Sequence, residues 1–310
     1  MPSLLNTNLL FVTGKGGAGK TTVAAALGLV ASRQGRRTIV CEMSEQQRIP
    51  QLLGRPVRPP GEEQELGPRL WGKSVNTQRT LAEWLPHQVG SRAVARLLLA
   101  SDTFQYIAAA APGSAEVVTM TALWELVQPQ RWDRRARPYD LVVVDAPASG
   151  NFLGMLRTPA TYDALVRAGP IARQARRLRA LFEDPKRTAV VAVAQAAELA
   201  VTETLEVEDG LRRQLGRGLK AAIVNAMLPR RFSRREIETV VRATTGAGLA
   251  AQLGRDAAIS IQRRSSEQHN QLNRLRRRLD APMVTLPFVF TQAMDANALD
   301  QLARTLERRL

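Results

Sequence analysis

Residues 14–22 read GKGGAGKTT, and this glycine-rich stretch decides the fold of the 310-residue chain. The apolar run at residues 8–12 is suited to a buried strand, and the Ala-, Leu- and Val-rich run at residues 22–31 is suited to a helix that ends near Gly35. A strand, a glycine loop and a helix in this order are the context that a phosphate-binding loop requires. Apolar runs alternate with helical patterns along the rest of the chain. They predict an α/β fold with a helical insertion. Together with the glycine loop they indicate a doubly wound, mostly parallel sheet of the P-loop NTPase type.

The residue types in the loop follow from the chemistry of phosphate binding. Its glycines let the backbone turn successive N–H groups onto anionic oxygens, and the helix that starts near Gly19 adds the positive end of its dipole. Lys20 is expected to reach the β- and γ-phosphates of ATP and to act in catalysis, and the Thr21 hydroxyl is expected to bind Mg²⁺. The predicted nucleotide-binding residues of the loop are Gly14, Gly16, Gly17, Ala18, Gly19, Lys20, Thr21 and Thr22.

A second nucleotide-binding element lies at residues 141–145, where four apolar residues end in Asp145. Such a run predicts a buried strand that carries a carboxylate to its C-terminal end, next to the glycine loop in a parallel sheet. Asp145 is then expected to act in catalysis by holding Mg²⁺ or one of its waters, as a Walker B aspartate does. Aspartates at strand ends are also common turn caps, so this prediction depends on the presence of the glycine loop.

Length and composition favour one cytoplasmic domain, residues 1–310, with a helical insertion at about residues 74–135. The first predicted strand starts by residue 8, which leaves no room for a signal peptide, and charged residues interrupt the best candidate for a membrane span. The single cysteine, Cys41, excludes an intrachain disulfide and a cysteine-cluster metal site within one chain. Its place in an apolar run predicts a core position.

The formal charge of +16 raises the question of a nucleic-acid or anionic-membrane partner. The excess is mostly arginine, clustered near residues 173–179, 230–235 and 274–278. These clusters largely lack interleaved aromatic residues, and no helix-turn-helix, zinc-finger or RNA-recognition pattern accompanies them. Specific nucleic-acid binding is therefore not favoured, and most of these arginines are interpreted as solvated faces.

Lys15 distinguishes this loop, because an ordinary Walker A loop needs no lysine directly after its first glycine. Residues 15–21, KGGAGKT, resemble the deviant Walker A of the SIMIBI class of NTPases. That resemblance implies that Lys15 is catalytic and reaches across a dimer interface to the nucleotide of the partner. A solvated loop lysine is the alternative interpretation.

Further segments resemble the ArsA/Get-type ATPases and follow the order in which that family has them. DAPASGNFLGMLRTP at residues 145–159 is similar to its switch II, and TETLEVEDGL at residues 202–211 is similar to the segment after its adenosine loop. APG at residues 111–113, with Glu116, is similar to its APGxxE motif. The resemblance implies an ATP-hydrolysing molecular switch that holds ATP and Mg²⁺ at a dimer interface.

The same resemblance covers the base of the nucleotide. Asn225, which follows the apolar run at residues 221–224, matches the asparagine that reads adenine in this family. Leu286, Pro287 and Phe288 match the loop that covers the base. Asn225, Pro287 and Phe288 are therefore implied to contact ATP.

Departures from the family pattern concern hydrolysis. Glu42 ends the second predicted strand, where the family has an aspartate, and Asn151 replaces a histidine of switch II. Glu42 is assigned a catalytic role in orienting the attacking water, but its extra methylene shifts the carboxylate, and such a displacement can cost roughly a hundredfold in rate. We therefore expect slow turnover, and a weakly hydrolysing nucleotide-bound scaffold subunit stays open as an alternative.

The family's branches differ in features that this sequence lacks. The arsenic-pump branch needs a thiolate cluster for arsenite and the tail-anchor branch joins its dimer with a CxxC zinc site, so one cysteine predicts no arsenite or zinc site. The chain has one glycine loop and no internal repeat, which implies that a second polypeptide completes the assembly. Both a homodimer and a heterodimer with a sister ArsA-like subunit meet that need.

The cargo region is predicted between the second strand and Asp145. Residues 55–68, rich in Pro, Gly and Glu, predict a loop, and residues 80–127 predict helices. In the family, helices at this position handle the cargo. The sequence does not reveal which cargo this chain handles, and a membrane protein and a lipid are the candidates. For any single apolar residue, a place in the insertion's own core is the favoured interpretation. These residues are Leu81, Trp84, Leu85, Val94, Leu97, Leu98, Phe104, Ile107, Val117, Met120, Leu123, Trp124 and Val127.

The last predicted helix, residues 295–310, places leucines 299, 302, 306 and 310 on one side. The cell-division branch of this NTPase class binds membranes with such a basic amphipathic helix, which would hold the protein peripherally at the inner face of the membrane. A MinD/ParA-type positioning ATPase on a membrane or nucleoid surface is the alternative to the ArsA/Get interpretation. Packing against the sheet is favoured, because the apolar stripe is narrow and lacks aromatic residues.

Overall fold

The fold is built on one central sheet, seen in a computed structural model that describes residues 4–44, 46–101, 113–166 and 168–310. Within that part of the chain the sheet has eight strands in the order β3-β4-β2-β5-β1-β6-β7-β8. All neighbouring strands run parallel except β3 and β4. The strands are β1 Leu9–Gly14, β2 Thr38–Glu42, β3 Gln64–Gly67, β4 Leu70–Ser74, β5 Leu141–Ala148, β6 Thr188–Gln195, β7 Ala221–Met227 and β8 Met283–Pro287.

Helices cover both faces of the sheet, which confirms the predicted doubly wound α/β class. One apolar core lies between the sheet and α1 with α11, and the other lies between the sheet and the helices α5 to α8. The helices are α1 Lys20–Arg33, α2 Arg48–Leu52, α3 Thr77–Val89, α4 Arg92–Leu99, α5 Ser114–Leu126, α6 Ser149–Leu165, α7 Pro170–Glu183, α8 Glu198–Leu215, α9 Arg234–Ala243, α10 Leu249–Arg278 and α11 Ala296–Glu307.

The central strands explain how the sequence places the glycine loop. β1 is buried along its whole length, as its apolar sequence predicts for a strand covered on both faces. β1 lies between β5 and β6, and Val12 pairs with Asp145 in the parallel register. The C-terminal ends of β1 and β5 therefore bring the glycine loop and Asp145 to the same edge of the sheet.

The loop predicted at residues 55–68 is wrong in its last part, because β3 begins at Gln64 and forms an antiparallel hairpin with β4. Burial alternates along β3, with Gln64 and Leu66 buried between more exposed residues. Leu66 lies over Gly72 of β4, where an added Cβ would come within 2.6 Å of the Leu66 side chain. The short strand forms because this neighbour is present, which the local Pro- and Gly-rich composition does not reveal.

In its described part, the insertion between β4 and β5 contains α3, α4 and α5, and six of its eleven described apolar candidates are buried. Trp84, Leu85, Val117, Met120, Leu123 and Val127 are buried, and Leu81, Leu98 and Trp124 are half-buried. Two residues of α4 differ, since Val94 is 47% exposed and Leu97 is 74% exposed. Phe104 and Ile107 lie outside the described residues. The domain bounds 1–310 and the insertion bounds 74–135 stay predictions.

The final helix packs inside the fold. Leu299, Leu302 and Leu306 of α11 are buried against α1, so the stripe proposed for the membrane alternative is already covered by the chain itself. Cys41 is fully buried in β2, as predicted, and burial raises the pKa of its thiol to about 12. Across the described residues, none of the helices combines the length and the apolar character that crossing a membrane requires.

Candidate functional site

The glycine loop adopts a conformation that its glycines make accessible. Gly14 has φ 141°, and a Cβ there would lie 2.0 Å from the Val193 carbonyl oxygen of β6. Gly17 and Gly19 have φ 80° and 90°, the left-handed region that other residues rarely adopt. Gly19 is the N-cap of α1, so the backbone N–H groups at the start of this helix face the same edge of the sheet as the loop.

Thr21 and Asp145 meet on the side of the loop where phosphate binding is predicted. The Thr21 hydroxyl donates to Oδ2 of Asp145 at 2.6 Å. Oδ1 of Asp145 is buried without a hydrogen-bond partner among the described residues, and burial raises the pKa of this carboxyl. A half-buried hydroxyl–carboxylate pair with one unused carboxylate oxygen fits the hard oxygen ligands that Mg²⁺ prefers, so Thr21 and Asp145 are the residues that would hold it.

Lys20 lies beside Thr21 and Asp145. Its Nζ is 3.5 Å from the Lys15 carbonyl oxygen, and burial lowers the pKa of its ammonium. Lys20, Thr21 and Thr22 line a cavity of about 660 Å³ that extends to switch II and to α2. We call it the phosphate-side cavity, after the binding predicted there. Arg48, the first residue of α2, lines this cavity as well. The arrangement can hold a polyphosphate between the loop and two cationic side chains.

Glu42, predicted to orient the attacking water, is 2% exposed and binds backbone instead of facing the cavity. Its Oε1 accepts from the Arg48 N–H at 2.7 Å, and its Oε2 accepts from the Ile49 N–H at 3.2 Å. Burial raises the pKa of Glu42 to about 7, although the two amides act in the opposite direction. The structure thus places Glu42 at the N-terminus of α2, and its catalytic role stays a prediction.

Asn225 lies on the opposite side of the loop. Its amide Nδ2 donates to the Ala18 carbonyl at 3.0 Å, and a Cβ on Gly19 would lie 2.4 Å from that nitrogen. Its Oδ1 accepts from the N–H of Ala226, a residue with φ 58°. Asn225 therefore fixes the end of β7 against the glycine loop, and contact with adenine stays a prediction.

The predicted cover of the base borders a cavity of about 620 Å³ beside Ala226. Phe288 lines it, is 43% exposed and makes an edge contact with Phe290 at 4.9 Å between ring centres. Pro287 ends β8 and is exposed. Gln268 of α10 donates to the Ala226 carbonyl at 3.0 Å and accepts from the Leu228 N–H at 2.8 Å. These contacts hold the wall of a space in which a flat ring could stack.

Lys15 lies apart from the phosphate side. Its ammonium forms an ion pair with Oε1 of Glu203 on α8, and Oε2 of Glu203 accepts from the Ser149 hydroxyl at 2.7 Å. Lys15, Ser149 and Glu203 line a separate surface cavity of about 650 Å³, which Asn151 also borders. The structure places the lysine that distinguishes this loop at an open face beside the start of α6.

Sequence reasoning missed several residues of this site. Arg48, Glu203 and Gln268 are not among the predicted residues, because each reaches the site from another element and no motif assigns it a role. Glu203 falls inside the segment 202–211, so the resemblance identified its helix. It did not indicate the contact of Glu203 with Lys15. Of the APGxxE motif, Gly113 and Glu116 are described, at the start of α5, and residues 111–112 lie outside the described part of the chain.

Comparison with known proteins agrees with this geometry. Residues 7–171 match the ArsA-type anion-transporting ATPase family. The chain is 30% identical over 234 residues to a putative ATPase of Mycobacterium bovis and to the ATPase BagA of Mycobacterium tuberculosis, which covers 74% of this chain and 68% of each relative. It is also 32% identical over 169 residues to an uncharacterized protein of Streptomyces coelicolor, covering 54% of this chain and 41% of that protein. This chain is therefore a P-loop ATPase and belongs to the ArsA-type anion-transporting ATPase family.

Proposed function

We propose that this ATPase is a molecular switch in which two chains pair around ATP and Mg²⁺ and hydrolysis separates them. Pairing is proposed to join the two helical insertions into one surface that handles an apolar cargo, such as a membrane protein or lipid. The second chain is another copy of this one or a sister subunit of the same family.

The position of Lys15 carries this proposal. Lys20 and Thr21 line the phosphate-side cavity, whereas Lys15 lines a different one, at the face formed by the loop, switch II and α8. Its side chain is 38% exposed. A lysine held at an open face is suited to a phosphate that arrives with another chain.

Switching also requires contacts that exist only in the paired state, because a nucleotide shifts an equilibrium only by binding one state better. The segments around the phosphate-side cavity supply candidates for such contacts. The N-terminus of α2 carries Arg48, and switch II runs from Asp145 directly into α6. Both segments border the space that the γ-phosphate would occupy.

Exposed apolar residues support the cargo part of the proposal. Val94 and Leu97 lie three residues apart on α4, so they share one face of that helix. Both are exposed, whereas their neighbours in α3 and α5 form a core. An exposed apolar stripe on an insertion is the feature expected of a surface that gains a partner on pairing.

A weakly hydrolysing scaffold is the second candidate, and the contacts of Glu42 favour it. Both carboxylate oxygens of Glu42 accept N–H groups of α2 and the side chain is buried, so in this arrangement Glu42 is not placed to orient a water in the cavity. Under this alternative ATP binding and pairing remain, and turnover is slow.

Two lysine variants test the proposal. Lys20→Ala removes a charge that binds phosphate directly, so binding of a fluorescent ATP analogue should weaken by roughly tenfold or more. Lys15→Ala should leave that binding close to wild type and lower phosphate release by about a hundredfold, the typical loss of one transition-state donor. The two variants serve as controls for each other. Equal loss of ATP binding in both would contradict the proposed division of roles.

A further inference from the structure

The contact between Lys15 and Glu203 links three parts of the fold. Lys15 belongs to the glycine loop, Glu203 lies in the second turn of α8, and Ser149 is the first residue of α6, directly after switch II enters the helix. One carboxylate oxygen of Glu203 binds Lys15 and the other binds Ser149. Glu203 therefore connects the phosphate loop to the start of the switch helix within one chain.

The contact is exposed enough to break and re-form. The side chains of Lys15 and Glu203 are 38% and 28% exposed, and both border the open cavity of about 650 Å³. The Lys15 ammonium and the Ser149 hydroxyl hold the pKa of Glu203 below its ordinary value, so the carboxylate is charged at neutral pH. Solvent screening keeps an ion pair of this kind weak.

We propose that Glu203 is a positioning residue that holds Lys15 on its own chain until the γ-phosphate on a partner chain displaces it. This inference rests on the proposed function, in which Lys15 acts on the partner's nucleotide. Since one ammonium cannot bind Glu203 and a distant phosphate together, pairing must break this contact. Glu203 thereby opposes pairing with every nucleotide, and only ATP brings the γ-phosphate that offsets the lost contact of Lys15.

The expected size of the Glu203 effect on pairing follows from the exposure of the Lys15–Glu203 ion pair. Exposed ion pairs shift an equilibrium by roughly two- to fivefold, and a symmetric dimer breaks two of them, so Glu203 should weaken ADP-bound pairing by about 4- to 25-fold. The fold effect in ATP should be the same, because Lys15 leaves Glu203 on pairing with either nucleotide and the γ-phosphate tightens pairing equally in the wild-type chain and in the variant.

Glu203→Gln and a matched control test this. Glu206 lies on the same helix, is exposed and borders the same cavity, so Glu206→Gln removes one charge there while leaving the Lys15–Glu203–Ser149 contacts in place. The dissociation constant of the dimer would be measured by sedimentation with ADP and with a slowly hydrolysed ATP analogue. Glu203→Gln should tighten ADP-bound pairing by about 4- to 25-fold, and Glu206→Gln should match wild type. Equal effects of the two variants, or no tightening by Glu203→Gln, would overturn the inference.

A double-mutant cycle shows whether Glu203 acts through Lys15. In a Lys15→Met background, Glu203→Gln should leave the ADP-bound dissociation constant unchanged. A change as large as in the wild-type background would overturn the inference, since Glu203 would then act by another route.

A labelling experiment separates this inference from the proposed function. Reductive methylation of Lys15 in the nucleotide-free chain, followed by mass spectrometry, should be a few-fold faster in Glu203→Gln than in Glu206→Gln. A wild-type chain that stays monomeric with every nucleotide and every sister subunit would remove the proposed function. Unchanged labelling of Lys15 would instead overturn the role of Glu203, whatever the oligomeric state.

Discussion

Glu42 is a residue whose expected role changes once its neighbours in the fold are known. In the sequence it stands where the family has an aspartate. In the fold its carboxylate is buried and accepts two N–H groups at the N-terminus of α2. Burial of the charge outweighs those two bonds, which is why the pKa rises to about 7. Glu42 is therefore a carboxyl whose proton number differs between the folded and unfolded chain near neutral pH.

The pH dependence of stability follows from this shift. Between pH 4.5, its ordinary pKa, and about pH 7, folded Glu42 keeps a proton that the unfolded chain releases, so its contribution lowers stability as pH rises. Glu42→Gln should remove this contribution. Between pH 5 and 7 the free energy of unfolding of the variant should therefore fall by about 1–2 kcal/mol less than that of the wild-type chain. Urea unfolding of both proteins across this range measures it. Parallel pH profiles would contradict the assignment.

At the scale of elements, α4 and α5 form a matched pair for testing the cargo surface. Leu97 of α4 is 74% exposed, so Leu97→Asp with Val94→Asp should change the free energy of unfolding by only about 0.5 kcal/mol each. Binding of an apolar dye to the ATP-analogue complex should fall clearly. Leu123→Ala in the buried face of α5 is the control and should cost about 2–5 kcal/mol. Unchanged dye binding in the α4 variant would place the apolar surface elsewhere.

For the final helix we predict the reverse of the α4 result, a loss of stability with no loss of surface binding. Leu302 of α11 is 2% exposed and packs toward α1, so Leu302→Ala should cost about 2–5 kcal/mol of stability. Its effect on co-sedimentation with anionic vesicles should be absent, because the leucine stripe is covered by the chain. Loss of vesicle binding with unchanged stability would restore the membrane role of this helix.

Local patterns predicted the central elements well and the sheet edge poorly. The buried run at residues 8–12 became β1, and Gly35, with φ 86°, follows the end of α1 as expected. These signals are local, since continuous apolar runs and glycine positions do not depend on distant residues. The hairpin of β3 and β4 was missed because its stability comes from pairing with a neighbour in space.

The distinction between local sequence signals and contacts formed in space also holds for the whole molecule. The doubly wound class and the family were predicted from motifs, and Thr21 and Asp145 lie together because the strand order brings them there. The Lys15–Glu203 contact joins residues 188 positions apart, and no spacing rule connects them. Arg48 and Gln268 also act through tertiary contacts. The sequence therefore identified the family and predicted which residues bind phosphate and Mg²⁺, and the fold added the contacts that hold these residues together.

Two inactive variants, mixed, test most directly whether Lys15 serves the nucleotide of a partner chain. Lys15→Ala keeps its own phosphate and Mg²⁺ residues, and Asp145→Asn keeps Lys15, so a mixed dimer contains one complete site. Each variant alone should release little phosphate from ATP, and an equal mixture should recover roughly a quarter of the wild-type rate, because about half of randomly paired dimers are mixed and each has one working site. A mixture that stays as inactive as its components, although the two variants form dimers, would show that Lys15 acts within its own chain and would contradict the account.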